Sequence, residues 1–272
     1  MERPPWAPSE VDIGRPSVAR VYDWYLGGSH NFESDRAFGR RVVDVYPPLP
    51  AVLRDNRAFL RRVVRHLVAE GIDQFLDLGS GIPTAGNVHE VAHAVNPEAR
   101  IVYVDHDPVA VTHSRELLAG DPRTTVLAAD LLEPERVLAE AAASHGLDLR
   151  RPVAVLALLV LHFVPDERHP GAVMARYLEN LAPGSHLAIS QSRSDGAPAA
   201  VAGQELYAHE RSLEPMHPRT ADQVAALFGG LHLLAPGVVA APAWRPDPTG
   251  PHTGPVDVPD DHPVLAGVAR KG

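Results

Sequence analysis

The sequence predicts a doubly wound α/β fold, in which a mostly parallel sheet has helices on both faces. From residue 74 onward, short apolar segments alternate with amphipathic ones, as in repeated strand–helix units. The first strands are almost uninterrupted apolar runs, which is typical of strands buried on both faces. The first of them enters a glycine turn and the second ends in an acid, the layout of a nucleoside-binding unit.

The elements follow from this pattern in order. Strands are predicted at residues 74–78, 101–105, 125–129, 153–160, 186–191, 231–239 and 264–269, and helices at 84–95, 108–119, 134–144, 167–181 and 220–228. Ahead of the sheet, residues 16–70 are predicted to form helical segments, and residues 54–70 have the clearest helical spacing of apolar residues. The proline-rich stretch 1–15 is predicted to be mobile, and the proline-rich stretch 242–262 is predicted to be an irregular loop.

Composition excludes several classes of function. The net charge of −9 counts against a nucleic-acid partner, which would need a basic face. The chain has no cysteine, and its one lysine is Lys271, so cysteine nucleophiles, a P-loop and a Schiff-base lysine are excluded. The first residues do not resemble a signal peptide, and the longest strongly apolar run, residues 153–161, is too short to span a bilayer. We expect a cytoplasmic protein without a membrane partner.

The glycine turn after the first strand indicates which cofactor the chain uses. Gly79, Ser80 and Gly81 form a turn whose backbone can approach a ligand closely, because the two glycines have no Cβ atom. Thr84 stands where a dinucleotide motif would have its third glycine. Asp77 would repel a pyrophosphate but attract a sulfonium or amino group. The motif therefore favours S-adenosylmethionine over NAD, with a plain tight turn as the alternative.

Acids at the ends of the next two strands are expected to contact the same cofactor. Asp105, followed by His106, is placed to accept hydrogen bonds from ribose hydroxyls. Asp130 could accept one from an adenine amino group while Leu131 packs on the ring; alternatively, Asp130 caps the helix near residue 134. We interpret Asp107 as the N-cap of the helix that follows it, and we predict no metal site.

Candidate acceptor-side residues come from two places. His162 and Phe163 follow the fourth strand, where a side chain would open onto the crevice. His162 could contact the cofactor, act as a base or be an ordinary core residue.

The second place is the aromatic N-terminal stretch, which contributes Tyr22, Tyr25, His30, Asn31 and Phe32 around a Gly-Gly turn. Such rings can enclose a cation and exclude water. The alternative is a helix that simply packs its aromatic face on the sheet.

Three segments of the chain resemble a known family. They are residues 20–36 (Arg-Val-Tyr-Asp-Trp-Tyr-Leu-Gly-Gly-Ser-His-Asn-Phe-Glu-Ser-Asp-Arg), residues 75–84 (Phe-Leu-Asp-Leu-Gly-Ser-Gly-Ile-Pro-Thr) and residues 153–165. They are similar to the S-adenosylmethionine-dependent methyltransferases catalogued as domain of unknown function 574, over about residues 16–271. The resemblance implies a class I methyltransferase fold, with a seven-stranded Rossmann-like sheet whose last strand is antiparallel.

The same resemblance implies how the chain is divided and which residues bind the cofactor. It implies an N-terminal helical cap, which we assign to residues 1–70, and a methyltransferase core at 71–272. In class I methyltransferases the first-strand loop holds the methionine end, here Asp77, Gly79 and Gly81. The second-strand acid, here Asp105, holds the ribose, and the third-strand acid, here Asp130, binds adenine.

The predicted function is methyl transfer from S-adenosylmethionine to a small molecule. The candidate bases are His30 and His162, if the acceptor needs one. Two alternatives remain: a non-catalytic S-adenosylmethionine-binding regulator, and a nicotinamide-dependent oxidoreductase. The sequence leaves the acceptor and the oligomeric state open.

We expect residues 20–36 to cover the methyl end of the cofactor, nearer to it than any residue after Gly184. Otherwise the acceptor pocket would be built from C-terminal loops around Tyr207, His217 and Trp244.

Overall fold

A mixed sheet with helices on both faces forms the centre of the molecule. The structure, a computed structural model, describes residues 11–83, 86–247 and 258–272. The strands are β1 (Gln74–Leu78), β2 (Arg100–Asp105), β3 (Thr124–Ala128), β4 (Ala154–Leu158), β5 (His186–Ser192), β6 (His232–Leu233), β7 (Val239–Ala240) and β8 (Val264–Arg270). The α-helices are α1 (Val18–Tyr25), α2 (Glu33–Val45), α3 (Leu49–Ala69), α4 (Val88–Val95), α5 (Pro108–Leu117), α6 (Pro134–Ser144), α7 (Pro170–Glu179), α8 (Pro198–His209) and α9 (Ala221–Ala226).

The strand order is β3-β2-β1-β4-β5-β8-β6, and β7 also pairs with β8. Neighbouring strands from β3 to β5 are parallel. Strand β8 is antiparallel to β5, and its other edge pairs with β6 and β7 in turn. The sheet is therefore seven positions wide with its last strand reversed, and the predicted fold class is confirmed.

Alternate residues of each strand pack on opposite faces of the sheet. Phe75 joins an apolar cluster with α3, α4 and α5, whereas Leu76 and Leu78 join a cluster with α6, α7 and α9. This alternation is the two-residue period of a pleated strand. By the same period Asp77 lies on the face covered by α3, which decides its neighbours in the site.

Three element predictions differ from the structure. The strand predicted at 231–239 is two short strands, because Pro236 has no N–H for the ladder and Gly237 has a φ of +87°. Helix α8 was not predicted. The helix expected from residue 84 begins at Val88. Residues 84–85 lie outside the described residues. So do residues 1–10 and 248–257, on which parts of the predictions for 1–15 and 242–262 fall.

Helix α3 joins the N-terminal helices to the sheet. Its apolar stripe, including Phe59, Leu60, Val63 and Val64, shares one cluster with the strand residues on that face. At 21 residues it is long, yet within the described ranges no helix combines the length and apolarity needed to cross a bilayer. The division into a cap at 1–70 and a core at 71–272 stays a prediction.

The carboxylate of Asp35 joins the start of α1 to the start of α2. One oxygen accepts a hydrogen bond from the Ser17 amide at 2.9 Å. The other accepts from the Phe32 amide at 2.7 Å and from Arg20 Nε at 2.9 Å. Asp35 is fully buried and Arg20 nearly so, which makes this a buried ion pair rather than a surface one. Three donors from three separate segments thus converge on one side chain.

We predict that Asp35→Ala lowers the free energy of unfolding by about 3–5 kcal/mol, because it leaves the Arg20 charge buried without its partner. Urea denaturation followed by circular dichroism measures this. The matched control is Glu33→Ala on the same helix, whose carboxylate pairs with Arg36 at the surface and should contribute little. Equal stability of the two variants would show that the Asp35 network is not a structural requirement.

Candidate functional site

A cavity of about 710 Å³ opens at the carboxyl ends of the parallel strands. Most of its lining falls into two sets. The first comes from the carboxyl ends of β1 to β4 and the segments that follow them, and includes Asp77, Gly79, Ser80, Gly81, Asp105, His106, Asp130, Leu131, His162 and Phe163. The second comes from the helices α1, α2, α3 and α8 and from residues 212–216, and includes Tyr22, Tyr25, Tyr46, Asn56, Arg57, Gln204, Tyr207 and Met216. The cavity thus lies between the sheet edge and a helical roof.

The turn after β1 is held by both neighbouring strands. The Gly79 and Ser80 amides donate to the Val104 carbonyl at 2.8 and 3.1 Å, and the Gly81 amide donates to Asp105 Oδ2 at 2.7 Å. Both glycines have left-handed backbones, with φ of +65° and +63°. A Cβ on Gly79 would lie 2.2 Å from Val160 Cγ2, whereas one on Gly81 would meet nothing within 4 Å. Glycine is needed at both positions, but only Gly79 is also packed against a side chain.

Asp105 ends β2 with its carboxylate partly satisfied. It accepts from the Gly81 amide and, at 2.8 Å, from the Asp107 amide. Burial raises the pKa of Asp105, and the two amides oppose that rise. A carboxylate has about four acceptor positions, so capacity remains for two ligand hydroxyls. Asp107 caps α5 through the Val109 and Ala110 amides, as predicted from the sequence.

Asp130 and Leu131 line the cavity beyond β3. One oxygen of Asp130 accepts from the Leu132 amide at 2.8 Å, which closes a local turn. Helix α6 begins at Pro134 with Glu133 as its N-cap residue, so the alternative reading of Asp130 as the cap of that helix is wrong. The Leu131 carbonyl accepts from the Tyr177 hydroxyl at 2.9 Å, which fixes the backbone next to Asp130.

Asp77 lies deeper than the other acids and is 7% exposed. Burial raises its pKa to about 7; the nearby Arg57 guanidinium opposes the rise and Asp105 adds to it. A carboxyl group with this pKa changes charge near neutrality. It can therefore neutralise a cationic ligand group without being permanently charged in the free protein.

Within the N-terminal segment, only Tyr22 and Tyr25 of the predicted acceptor-side residues line the cavity; His30, Asn31 and Phe32 do not. The His30 ring contacts the ring of His113 in α5, with 4.1 Å between centroids and an angle of 50° between the ring planes. Phe32 packs in a cluster with Ile82 and Val109, under the guanidinium of Arg20.

Asn31 has a structural role instead. Its Nδ2 donates to Asp23 Oδ2 at 2.8 Å and to the Gly28 carbonyl at 2.9 Å. The His30 amide donates to the same carboxylate oxygen at 2.9 Å. A Cβ on Gly28 would lie 1.9 Å from Asp23 Oδ1, so the loop can close around the acid only with glycine there. The turn between α1 and α2 is therefore held by hydrogen bonds to the Asp23 carboxylate. The sequence motif alone did not reveal this role of Asp23.

His162 and Phe163 are at the cavity wall with their rings 4.3 Å apart. His162 is 4% exposed, and burial, followed by the charges of Arg219 and His217, lowers its pKa to about 3. The imidazole is therefore neutral at pH 7 and accepts a proton poorly. This weakens the prediction that His162 is a general base.

Residues after Gly184 contribute substantially to the wall. The expectation that residues 20–36 lie nearer the methyl end of the cofactor than these residues stays a prediction. Ser192, Gln204, Tyr207 and Met216 line the cavity, as does Val264. Of the alternative C-terminal residues, Tyr207 lines it. The amide of His217 donates to the His162 carbonyl, and Trp244 is fully buried against Phe59 in the core, and neither residue lines the cavity.

The two polar lining residues of α3 were missed, although one had a signal in the sequence. Asn56 lies on the apolar stripe between Leu53 and Leu60 and is 2% exposed, and a buried polar residue on such a stripe marks a site of special use. Arg57 follows it and also lines the cavity. Gln204 was missed because α8 itself was not predicted.

Comparisons with known proteins agree with this geometry. The chain matches the family model described as S-adenosyl methyltransferase over residues 4–272. It is 40% identical to a proposed methyltransferase of Thermobifida fusca, with a TM-score of 0.90 and coverage of 98% of this chain and 99% of that one. It is 39% identical to a DUF574 family protein of Streptomyces avermitilis, with a TM-score of 0.88 and coverage of 96% and 100%. The family resemblance is thereby confirmed.

A local match also exists to ribosomal RNA small subunit methyltransferase H of Halorhodospira halophila. It is 43% identical over 63 residues, and these span 23% of this chain and only 19% of that protein. A match this short shows that one segment is similar, and it transfers no substrate.

We predict that Gly79→Ala destabilises the protein more than Gly81→Ala. Both substitutions put alanine at positive φ, which costs about 1–2 kcal/mol. Only the first also drives a Cβ into Val160. Parallel urea unfolding curves of the two variants measure the difference, and each serves as control for the other. Equal losses would mean that the close contact with Val160 relaxes freely.

Proposed function

Since the chain belongs to the S-adenosyl methyltransferase family, we propose that it transfers a methyl group from S-adenosylmethionine to a small molecule held beneath the helical roof. One observation supports this most directly. Asp77, the Gly79–Gly81 turn, Asp105 and Asp130 come from three strands and line one cavity. That is the arrangement a nucleoside with a charged tail requires at the carboxyl edge of an open parallel sheet.

The donor set fits the cofactor at each of its parts. Asp105 keeps free acceptor positions for ribose hydroxyls. Among the described residues, Asp130 has one oxygen without a hydrogen bond, which suits an exocyclic amino group. Leu131 offers an apolar contact for the base, and His106 lines the cavity beside Asp105. The turn of Gly79 and Gly81 has no side chain to obstruct a close approach. S-adenosylmethionine supplies a methyl group that is already activated by its sulfonium.

We propose an acceptor with an apolar body. Tyr25, Val42, Leu53 and Leu213, which line the roof, belong to one apolar cluster together with Tyr207. Such walls favour a flat or aliphatic molecule over a highly charged one. The net charge of −9 makes a nucleic-acid acceptor unfavourable, as the sequence indicated.

In this proposal, catalysis depends more on positioning the nucleophile and excluding water from the cavity than on a strong base. His30 lies outside the cavity wall, and His162 has a pKa of about 3. Buried Tyr25 and Tyr207 have raised pKa values, chiefly because of burial, and keep their protons. The chain's contribution is then to exclude water and to hold a nucleophile in line with the methyl group. An acceptor that is nucleophilic without deprotonation fits best.

Binding and turnover test the proposal together. Calorimetry should show binding of S-adenosylhomocysteine but not NAD, and methyl-labelled S-adenosylmethionine should label a component of a metabolite extract. We predict that Asp105→Ala weakens S-adenosylhomocysteine binding by about 1–3 kcal/mol, the scale for bonds to a charged group. Asp121→Ala, which removes a surface partner of Arg123, is the control.

Each alternative function has its own outcome. If the protein binds NAD but not S-adenosylhomocysteine, the cofactor assignment is wrong and the oxidoreductase alternative is favoured. Binding of S-adenosylhomocysteine with no labelled product from any extract would favour a cofactor-sensing regulator. Normal binding by folded Asp105→Ala would remove the ribose role from that residue.

The pKa of Asp77 predicts a pH dependence of cofactor binding. A cationic ligand group prefers the ionised carboxylate, and with a pKa of about 7 that form is scarce at pH 5.5 and predominant at pH 7.5. Affinity for S-adenosylhomocysteine should therefore rise severalfold across this range, with release of a proton. Isothermal titration in two buffers of different ionisation enthalpy measures both effects.

Asp77→Asn is the matched variant for that experiment. It should bind more weakly and lose most of the pH dependence. Asp105 also has a pKa raised by burial, so a remaining dependence of the same sign in Asp77→Asn is the contribution expected from Asp105. An unchanged pH profile in this variant would exclude Asp77 as the titrating group.

A further inference from the structure

Arg57 is a half-buried cation at the cavity wall, and no carboxylate in the part of the chain that the structure describes forms a salt bridge with it. Its Nη2 donates to Asn87 Oδ1 at 2.6 Å, which fixes the guanidinium on the α3 side of the cavity. Its other terminal nitrogen makes no hydrogen bond to the described residues. A guanidinium held by a neutral partner and facing a cavity is suited to a planar anion such as a carboxylate.

Tyr22 supplies a hydrogen-bond donor beside Arg57, and the chain of bonds behind it fixes its direction. The Leu159 amide donates to Ser190 Oγ at 3.0 Å. Ser190 Oγ donates to Asn56 Oδ1 at 2.6 Å, which orients the amide group of Asn56. Asn56 Nδ2 then donates to the Tyr22 hydroxyl oxygen at 3.3 Å. The oxygen of Tyr22 is therefore an acceptor toward the protein, and its hydrogen is left for a ligand.

Asp77 is close enough to Arg57 for the two side chains to interact electrostatically, and its ionised form has the opposite charge. Burial raises the pKa of both Asp77 and Tyr22, and the Arg57 guanidinium opposes that rise in each. The three side chains come from β1, α1 and α3 and line one cavity. Together they present a cation and a neutral donor next to an acid, which is the complement of a zwitterion rather than of a simple anion or cation.

We propose that Arg57 and Tyr22 bind the α-carboxylate of the cofactor's methionine moiety, beside Asp77, which the family resemblance already assigns to that moiety and which is placed to face its α-ammonium group. This rests on the proposed function, since it names the subsite for one end of the same cofactor. It gives α1 and α3 a part in cofactor binding, in addition to their position over the acceptor. Tyr22, predicted from sequence as an acceptor contact, becomes a cofactor contact.

The test compares two ligands that differ by the amino-acid group. S-adenosylhomocysteine contains it, and 5′-methylthioadenosine keeps the adenosine and thioether without it. Arg57→Gln should weaken S-adenosylhomocysteine binding by about 10- to 100-fold, and Tyr22→Phe should weaken it by a smaller factor. Neither should change 5′-methylthioadenosine binding measured by calorimetry. Arg54→Gln, an exposed arginine on the same helix, controls for the lost charge.

Each outcome bears on one of the two proposals. If the wild type binds neither ligand, the proposed function fails, whatever Arg57 does. If it binds both and Arg57→Gln leaves S-adenosylhomocysteine binding unchanged, or weakens both ligands equally, the carboxylate subsite is overturned and the anion site belongs to the acceptor. Should Arg57→Gln unfold, Arg57→Lys replaces it: a selective loss for S-adenosylhomocysteine supports the subsite, and equal behaviour of both ligands contradicts it.

Discussion

The helical roof depends on a single buried carboxylate. Asp35 accepts hydrogen bonds from the Ser17 amide, the Phe32 amide and Arg20, which belong to segments before α1, before α2 and within α1. A buried ion pair adds little net stability over an apolar substitute, but it is strongly directional and costly to break. Its effect here is to fix where α1 and α2 enter the structure, and hence where Tyr22 and Tyr25 meet the cavity.

The roof is also joined to the cofactor side of the cavity. Ser17 Oγ donates to Asp107 Oδ2 at 2.5 Å, and the other oxygen of Asp107 caps α5. Asp107 in turn gives its own amide to Asp105. A short chain of bonds therefore runs from the N-terminal segment to the acid placed for the ribose. The two sets of lining residues are therefore connected by hydrogen bonds, and a ligand in the cavity would lie between them.

The sequence predicted the sheet well because buried parallel strands have an unmistakable composition. Strands β1 to β5 and β8 lie within a residue or two of their predicted positions, and Asp77, Gly79 and Asp105 lie in the cavity as expected. Helix α8 was missed because its sequence, Pro-Ala-Ala-Val-Ala-Gly-Gln-Glu-Leu-Tyr-Ala-His, has no clear apolar stripe and holds Gly203 in its middle. The turn at 27–31 was misread for a different reason. A polar, glycine-containing motif predicts a special local conformation, but only the structure shows that the His30 amide and the Asn31 side chain donate to Asp23.

The contact between Gly79 and Val160 limits how relatives of this chain can diverge. With only 2.2 Å between a virtual Cβ on the first and a methyl group of the second, the two positions share one small volume although they lie on different strand ends. The positive φ at position 79 also disfavours any larger residue there, so of the two positions only 160 can be substituted. Substitutions at position 160 are expected to keep or reduce the side-chain volume. A larger side chain there would displace the turn. Position 160 should then vary as little as a binding residue does, because its side chain supports the turn after β1.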